Sequence, residues 1–417
     1  MHLSLKTLLN HVEPLAGFVY ASSRWQDQRI DIQLRERCGS RAKCSRCLKR
    51  APGYDRLPTR RFQFVPLWGV LVFFVYAPRR VQCAGCGICV EHLPFACGKR
   101  PLTMSYIWFL STWAKRLSWQ QVATIFDTSW ESVFRSVEMA VDWGRAHMDL
   151  SGISALGVDE IYWCKGCFLT LVYQINDGMK RLLFVTENRE EKSLRKFFHW
   201  FGKERSAGVL FICSDMWKPY LNVIAEYAKN ALNILDRYHI AAKMNKAIDE
   251  VRAKETRAIA ARTKDTTTPV LKHSRWCLLK RPENLTEKQE VKLKELLACN
   301  LRTVRAYLLK EDFQFFWEYD SPTWAEKFMN RWCTKALRSR IEPMQKIARM
   351  LRAHQPLILN WFKARGQVSL GAVEGLNNKL KASIRSSHGF RTSNALKIML
   401  YHKLGELPEP KFAHRFC

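Results

Sequence analysis

The sequence has little negative charge and no long hydrophobic run. It contains 38 Asp and Glu residues against 68 Lys and Arg residues, which gives a formal net charge of +30 over 417 residues. The most apolar run, residues 64–77, is about 14 residues long, whereas a membrane-spanning helix needs about 20. The first residues lead into no apolar signal-peptide core. We therefore expect neither a membrane nor a secreted protein, but a cytoplasmic one.

The positive charge is spread along the whole chain and is not confined to one tail. Such an excess predicts a polyanionic partner, because neutralisation of phosphates drives non-specific nucleic-acid binding. A merely basic protein without such a partner is the alternative. A chain of 417 residues, 47% of them hydrophobic, is too long for one core, so we expect two to four domains.

Paired cysteines form the clearest motif near the start of the chain. Cys44 and Cys47 make one CxxC pair, and Cys83 and Cys86 make a second. Each pair places two thiolates on one tight turn, and two such pairs complete a tetrahedral Zn site. We predict a structural Zn in a zinc-ribbon-like module at residues 35–98, after a segment, 1–34, without a clear motif. Unligated thiols are the alternative, and the module also contains four rival ligands: Cys38, Cys89, His92 and Cys97.

The next segment, residues 99–150, has the pattern of two helices joined by a tight turn. Ser118 with Gln121 fits a capping box that opens a short helix, and Thr128 with Glu131 fits one that opens a longer helix. Helix, tight turn and helix is the helix-turn-helix pattern of many DNA-binding proteins. An ordinary helical hairpin is the alternative.

Two apolar segments farther along contain strands of an α/β sheet, and each strand is predicted to end in an aspartate. Asp159 lies in the first, residues 156–163, and Asp215 ends the second, residues 209–215. Between them the turn Asn176-Asp177-Gly178 joins two strands in an antiparallel hairpin. Three consecutive strands followed by alternating helix and strand is the order of a ribonuclease H-like domain, whose first part we assign to residues 151–245.

The rest of the chain has mainly helical periodicity. We predict an all-helical insertion at residues 246–364, a second part of the α/β core at 365–405, and a tail at 406–417. The second part contains Glu374, on a helix. Asp236 and His239, three residues apart, can share one face near this site; a purely structural hydrogen bond between them is the slightly favoured interpretation.

Three acidic residues from separate elements suit a site for two divalent ions, which promote phosphodiester cleavage and bind hard carboxylate oxygens. We predict that Asp159 bridges two Mg²⁺ (or Mn²⁺) ions, with Asp215 and Glu374 on either side. Taken singly, each acid fits an ordinary turn or a solvated helix. A basic run after Glu374 is expected to hold DNA phosphates, with a solvated helix face as the alternative; its members are Lys379, Lys381, Arg385 and Arg391.

Several segments, in order and spacing over nearly the whole chain, resemble the bacterial insertion-sequence transposases of the ISL-three family. They read GVDE at 157–160, CSDMWKPY at 213–220, DRYH at 236–239, RWCLLK at 275–280, VEGLNNK at 373–379 and HGFR at 388–391. The resemblance implies a ribonuclease H-like domain with an Asp-Asp-Glu triad, whose matching positions are Asp159, Asp215 and Glu374. It also implies an N-terminal zinc module followed by a helix-turn-helix.

The resemblance implies a DNA transposase that binds terminal inverted repeats and performs metal-dependent strand cleavage and strand transfer on double-stranded DNA. It further implies a homodimer or a larger synaptic complex, associated with the bacterial nucleoid. A structure-specific nuclease and a transposase-derived DNA-binding repressor are the alternatives. The chain departs from the family pattern at Ser369-Leu370-Gly371 and at Lys165-Gly166-Cys167. We expect Cys167 and its neighbour Cys164 to be core thiols.

Overall fold

The computed structural model describes residues 4–262, 270–299, 301–365, 367, 371–387 and 389–413. Ser369 and Leu370, where the chain departs from the family pattern, and His388 of the HGFR segment therefore lie outside the described residues. The chain divides into two compact units: Met1–Asp149 together with Lys379–Cys417, and Leu150–Asn378. In the described part of the chain, no helix combines the length and the apolarity that crossing a membrane requires.

The first unit begins with one helix and two small sheets. The elements are α1 (Leu5–Val12), β1 (Phe18–Gln26), β2 (Arg29–Glu36), β3 (Gly53–Arg56), β4 (Arg60–Leu67), β5 (Val70–Tyr76), β6 (Arg79–Cys83) and β7 (Gly87–Val90). The larger sheet has the order β1-β2-β5-β4 and the smaller β3-β6-β7. Alternate residues of β4 and β5 point inward, and Phe62, Phe74 and Phe95 form a fully buried aromatic core.

Three helices follow in the same unit: α2 (Met104–Ala114), α3 (Trp119–Ile125) and α4 (Trp130–Ala146). The predicted capping box at Ser118 and Gln121 is present. The one predicted at Thr128 is wrong by one residue, because Ser129 is the N-cap of α4 and its hydroxyl accepts from the N–H of Ser132 at 3.1 Å. Asp127 has a left-handed backbone (φ 45°), which ends α3 and sets the tight turn.

The second unit contains a five-stranded sheet with helices along it. Its elements are β8 (Ala155–Cys164), β9 (Cys167–Asn176), β10 (Met179–Glu187), α5 (Glu191–Phe201), α6 (Lys203–Ala207), β11 (Phe211–Ser214), α7 (Lys218–Tyr227) and β12 (Leu232–Leu235). The strand order is β10-β9-β8-β11-β12. Strands β9 and β10 pair antiparallel, as the Asn176-Asp177-Gly178 turn predicted, and so do β8 and β9, whereas β11 pairs parallel with β8 and β12. The protein is thus a mixed α/β fold.

Helices make up the described remainder of the chain. They are α8 (Arg237–Arg262), α9 (Arg275–Leu279), α10 (Glu287–Leu297), α11 (Arg302–Gln314), α12 (Pro322–Arg338), α13 (Glu342–Ala353), α14 (Gln355–Ala364), α15 (Ala372–Ser386) and α16 (Ser393–Leu404). Helix α14 packs on the edge strand β12, where the Asn360 amide donates to the backbone oxygen of Asn233 at 2.7 Å. In the first unit α16 packs on α4.

Candidate active site and metal centre

Four cysteine side chains of the first unit converge as the paired CxxC motifs predicted. Cys44 and Cys47 lie in the loop before β3, Cys83 ends β6, and Cys86 lies in the turn before β7. Their sulfur atoms all lie within 4.8 Å of one another, and those of Cys47 and Cys83 are 3.6 Å apart. A tetrahedral Zn site with Zn–S bonds of about 2.3 Å separates its sulfurs by about 3.7 Å. The donor set and its spacing therefore fit Zn.

Of the rival ligands, Cys89 is the one that approaches this cluster. Its Sγ lies 3.2 Å from that of Cys44, and both thiols are buried. Cys38, His92 and Cys97 are exposed. The hydrogen bond from the backbone N–H of Cys47 lowers the pKa of Cys44 to about 6, while the hydrogen bond with Cys44 raises the pKa of Cys89. Cys89 lies against the cluster, but the group of sulfur atoms that all approach one another within 4.8 Å consists of Cys44, Cys47, Cys83 and Cys86.

The sheet of the second unit brings the two predicted aspartates to the same level. Strands β8 and β11 pair in parallel with Cys213 opposite Gly157, so Asp215 follows its strand at the level of Asp159. Strand β12 continues the pattern, because Ser214 pairs with Leu235 and Asp236 comes next. Asp215 and Asp236 follow the ends of their strands, whereas the prediction that Asp159 ends its strand was wrong, because β8 continues to Cys164. Three adjacent parallel strands nonetheless each present an aspartate at one edge of the sheet, which the carboxyl ends of β11 and β12 form.

Helix α15 covers this edge from one face and carries Glu374 in its first turn. Gly157 makes the close approach possible, since a Cβ there would collide with Cγ2 of Val373. Glu374 itself is exposed. One turn later, the Asn377 side-chain amide donates a hydrogen bond to Oδ2 of Asp159 and its oxygen accepts one from the Tyr173 hydroxyl at 2.9 Å. Asn377 and Tyr173 were not among the predicted site residues; the spacing of three between Glu374 and Asn377 was the available signal.

Asp159 is largely enclosed by these contacts. Its Oδ1 accepts from the backbone N–H of Glu160 at 2.8 Å. Burial raises the pKa of Asp159, and the nearby charge of Asp236 adds to the increase, whereas the Glu160 N–H, His239 and Asn377 oppose it. A buried carboxylate with a raised pKa gains from a cation that replaces its lost hydration.

Asp215 is held on the other side by an arginine that the sequence analysis did not single out. Arg189 lies just beyond β10; its Nη2 donates to Oδ2 of Asp215 at 2.8 Å and its Nε lies 2.7 Å from Oε1 of Glu160. The backbone N–H of Trp217 donates to Oδ1 of Asp215 at 2.9 Å. Burial and the charge of Asp215 raise the pKa of Glu160 to about 7, although Arg189 acts in the opposite direction.

Asp236 and His239 belong to the same electrostatic environment. The N–H of Tyr238 donates to Oδ1 of Asp236 at 2.8 Å, so Asp236 caps the start of α8. Nε2 of His239 is 3.9 Å from Oδ2 of Asp236, too far for the side-chain hydrogen bond that the sequence favoured. Burial raises the pKa of Asp236, and the charge of Glu374 contributes to the increase.

The predicted triad is thus assembled only in part. Asp159 interacts electrostatically with Asp236, and Asp236 with Glu374, while Asp215 is paired with Arg189. Among the described residues, the four cysteines form a close group of metal-ligating atoms, and the three predicted carboxylates do not. The carboxylate oxygens of Asp159, Asp215 and Glu374 are nonetheless hard ligands of the kind that suits Mg²⁺ or Mn²⁺.

Comparison with known proteins identifies the family. Residues 156–400, more than half of the chain, match the profile of the ISL-three family, described as transposase. The chain belongs to the ISL-three family of insertion-sequence transposases. It is 26% identical over 351 residues to the transposase for insertion sequence element IS1001 of Bordetella parapertussis, covering 84% of this chain and 85% of that protein. It is also 26% identical over 400 residues to the transposase for IS1557 of Mycobacterium tuberculosis, covering 88% and 87%.

The predicted phosphate-binding residues of this transposase are accessible. All four are exposed, and none forms an ion pair with another described residue; they are Lys379, Lys381 and Arg385 on α15 and Arg391 before α16. Exposure and unpaired charge are what a phosphate contact needs. Their assignment to DNA remains a prediction.

A hairpin disulfide is the feature of this transposase that the sequence analysis interpreted wrongly. Cys164 ends β8 and Cys167 starts β9, and their side chains form a disulfide across the turn at Lys165 and Gly166. Both residues are half-buried. The expectation of two core thiols was wrong because the antiparallel register sets the two residues opposite each other.

Proposed function

We propose that this transposase cleaves and joins DNA at one site, with Asp159, Asp215 and Glu374 as its catalytic carboxylates in a ribonuclease H-like domain. The observation that carries the proposal is the parallel register of β8 and β11, which aligns Asp159 with Asp215. The strand order β10-β9-β8-β11-β12, antiparallel at first and parallel afterwards, supports this fold assignment. Glu374, in the first turn of α15, contributes to the raised pKa of Asp236, which supports its assignment to the same site.

Divalent ions held by these carboxylates supply activation of the attacking oxygen and neutralise charge on the leaving oxygen. The protein's own residues prepare the ligands. Asn377, fixed by Tyr173, orients Asp159, and the Trp217 N–H orients Asp215. Arg189 balances the charge of Asp215 and Glu160 in the metal-free protein.

The proposed reaction has two balanced steps. In the first, a water oxygen bonds to phosphorus and the bond from phosphorus to the 3′ oxygen breaks, which frees a 3′ hydroxyl at the transposon end. In the second, that 3′ oxygen bonds to a phosphorus of target DNA and the target's own 3′ oxygen leaves. One phosphorus–oxygen bond replaces another in the second step, so strand transfer needs no nucleotide cofactor.

The remaining parts follow as proposals of the same kind. A Zn ion on Cys44, Cys47, Cys83 and Cys86 would stabilise the module at 35–98, which with residues 99–150 would recognise terminal inverted repeats. Lys379, Lys381, Arg385 and Arg391 would contact DNA phosphates. The helical insertion at 246–364 would separate the two parts of the catalytic core, 151–245 and 365–405. Two ends must be joined, so we propose a dimer or a larger complex that acts at the nucleoid.

Charge-removing variants test this proposal. Asp159→Asn, Asp215→Asn and Glu374→Gln each keep size and most hydrogen bonding, so each should fold and bind end DNA yet lose both cleavage and strand transfer. Asp177→Asn, in the exposed β9–β10 turn, is the matched control and should remain active. The substrate is DNA that carries the inverted repeats flanking the gene.

Three outcomes would contradict the proposal in different ways. Strand transfer by Glu374→Gln at a near-normal rate would remove Glu374 from the site. Cleavage without transfer by the wild type would indicate a structure-specific nuclease. Binding of end DNA without any metal-dependent nicking would indicate a DNA-binding repressor.

A further inference from the structure

A cavity of about 580 Å³ lies within the first unit, between the starts of α3 and α4 and the loop that precedes α16. Small-molecule sites in proteins occupy about 300–1,000 Å³, so the cavity has room for one nucleotide. Its wall includes Trp119, Trp130, Phe390, Arg391 and Lys403. Nothing in the proposed chemistry of the carboxylates uses this cavity.

The aromatic side chains form a firm platform on one side. Trp119 is buried, and its ring centroid lies 5.8 Å from that of Trp130 and 6.2 Å from that of Phe390. Trp130 is 45% exposed. Its indole stacks on Phe134 with centroids 5.5 Å apart and ring planes at 5°, so the ring is held in place although much of it faces solvent. An exposed and preorganised indole is the kind of surface on which nucleobases stack.

The charge of the cavity is positive. Arg391 and Lys403 line it, and no lining residue among those the structure describes is acidic. Neither cation forms an ion pair with another described residue. Lys403 is partly buried, and this burial lowers its pKa, so a bound anion would compensate the lost hydration of the ammonium group. A purely apolar ligand would leave both cations without a partner.

An aromatic face beside two cations matches the two halves of a nucleotide. We propose that this cavity binds a single nucleotide that has left the DNA helix, with its base against Trp130 and its phosphate near Arg391 and Lys403. Gln120 and Thr392 on the wall supply hydrogen-bonding groups for the base edge, whereas the Ser118 hydroxyl is engaged in the capping box with Gln121. Removing a base from the stack costs free energy, which stacking and phosphate contacts offset. The inference rests on DNA as the substrate and not on the three carboxylates.

The test uses the full-length protein and two duplexes of the same sequence. One duplex is fully paired, and the other contains one additional, unpaired 2-aminopurine nucleotide. Fluorescence anisotropy of an end label measures both affinities, and 2-aminopurine emission, which stacking on indole quenches, reports on the environment of the unpaired base. The wild type should bind the bulged duplex more tightly and quench its emission.

Substitutions in the cavity should weaken binding of the bulged duplex and leave binding of the fully paired duplex nearly unchanged. Stacking on an aromatic side chain contributes about 1–3 kcal/mol per base, so Trp130→Ala should weaken binding of the bulged duplex by about 5- to 150-fold. Binding of the paired duplex should change little, and Trp130→Phe should retain most of the preference. Trp25→Ala is the control, because Trp25 is 65% exposed in the same unit and lies outside the cavity. Arg391→Gln should make binding less dependent on salt.

The possible contrary results distinguish failure of the cavity assignment from failure of DNA binding itself. A wild type that binds both duplexes equally, or a Trp130→Ala variant that keeps the preference and the quenching, would overturn the cavity assignment alone. It would also be overturned if Trp130→Ala lost affinity equally for both duplexes and Trp130→Phe did not restore the preference for the bulged duplex. Binding to neither duplex would overturn DNA binding together with the cavity assignment.

Discussion

Replacing Gly157 with alanine should displace the helix that carries Glu374 while leaving every proposed catalytic carboxylate in the chain. A Cβ at residue 157 would lie less than 3.0 Å from Cγ2 of Val373, closer than real Cβ atoms approach a neighbour. Val373 is buried and β-branched, so it has no cheap alternative rotamer in a helix. The backbone of α15 must therefore retreat from β8.

The size of the effect follows from that distance. Carbon atoms in contact are separated by about 3.5–4.0 Å, so α15 must retreat by roughly 1–1.5 Å. Overpacking of this kind lowers the free energy of unfolding by about 1–3 kcal/mol. A misplacement of about 1 Å in an active site can reduce the rate about 100-fold. We expect Gly157→Ala to cleave end DNA roughly 10- to 100-fold more slowly.

Single-turnover cleavage of labelled end DNA, together with urea unfolding, measures both quantities. The double variant Gly157→Ala, Val373→Ala removes Cγ2, and the Cβ of residue 373 lies 3.7 Å from the added methyl, an ordinary contact. It should therefore regain most of the lost rate. Gly375→Ala is the control, because a Cβ there meets open space on the same helix. Full activity in Gly157→Ala, or no recovery in the double variant, would refute the reasoning.

Three further predictions concern the metal centre, the site's electrostatics and pH. Cys83→Ser should reduce the Zn content from one ion per chain towards none and unfold the small module, since binding and folding are coupled; an unchanged Zn content by elemental analysis would contradict this. Asp236→Asn keeps an acceptor for the Tyr238 N–H, so helical circular dichroism should be unchanged while cleavage falls by at least about tenfold; equal activity would leave Asp236 as a cap only. The pKa of Glu160 is raised to about 7 in the native state, so near pH 6 the native state holds a proton that the unfolded state has released. The free energy of unfolding should therefore fall as the pH rises from 5 to 8. Glu160→Gln should show a smaller fall in urea titrations, and an identical fall would argue against the raised pKa.

The local elements of the fold were predictable because short-range patterns determine them. The hairpin at Asn176-Asp177-Gly178 and the capping box at Ser118 depend on a few neighbouring residues, and both are present. The cap at Ser129 was missed by one position because Thr128 and Ser129 are both good N-caps. Only the backbone conformation of the turn distinguishes them.

The contacts within the site were less predictable because they depend on register and packing. Asp159 and Asp215 were both predicted to end their strands, but Asp159 lies in the middle of β8, and its alignment with Asp215 follows from strand pairing, which the sequence does not specify. Arg189 lies in no motif, and its ion pairs with Glu160 and Asp215 arise from the position of the loop after β10. The disulfide of Cys164 and Cys167 likewise depends on the hairpin register.

The central claim is that Asp159, Asp215 and Glu374 hold the catalytic ions, and a change of metal tests it most directly. Each is replaced by cysteine in turn, and strand cleavage is measured in Mg²⁺ and in Mn²⁺. A thiolate is a poor ligand for Mg²⁺ and a better one for the softer Mn²⁺. The claim predicts that each variant is inactive in Mg²⁺ and partly active in Mn²⁺, whereas Asp177→Cys is active in both. Equal activity in the two metals for any of the three cysteine variants would contradict it.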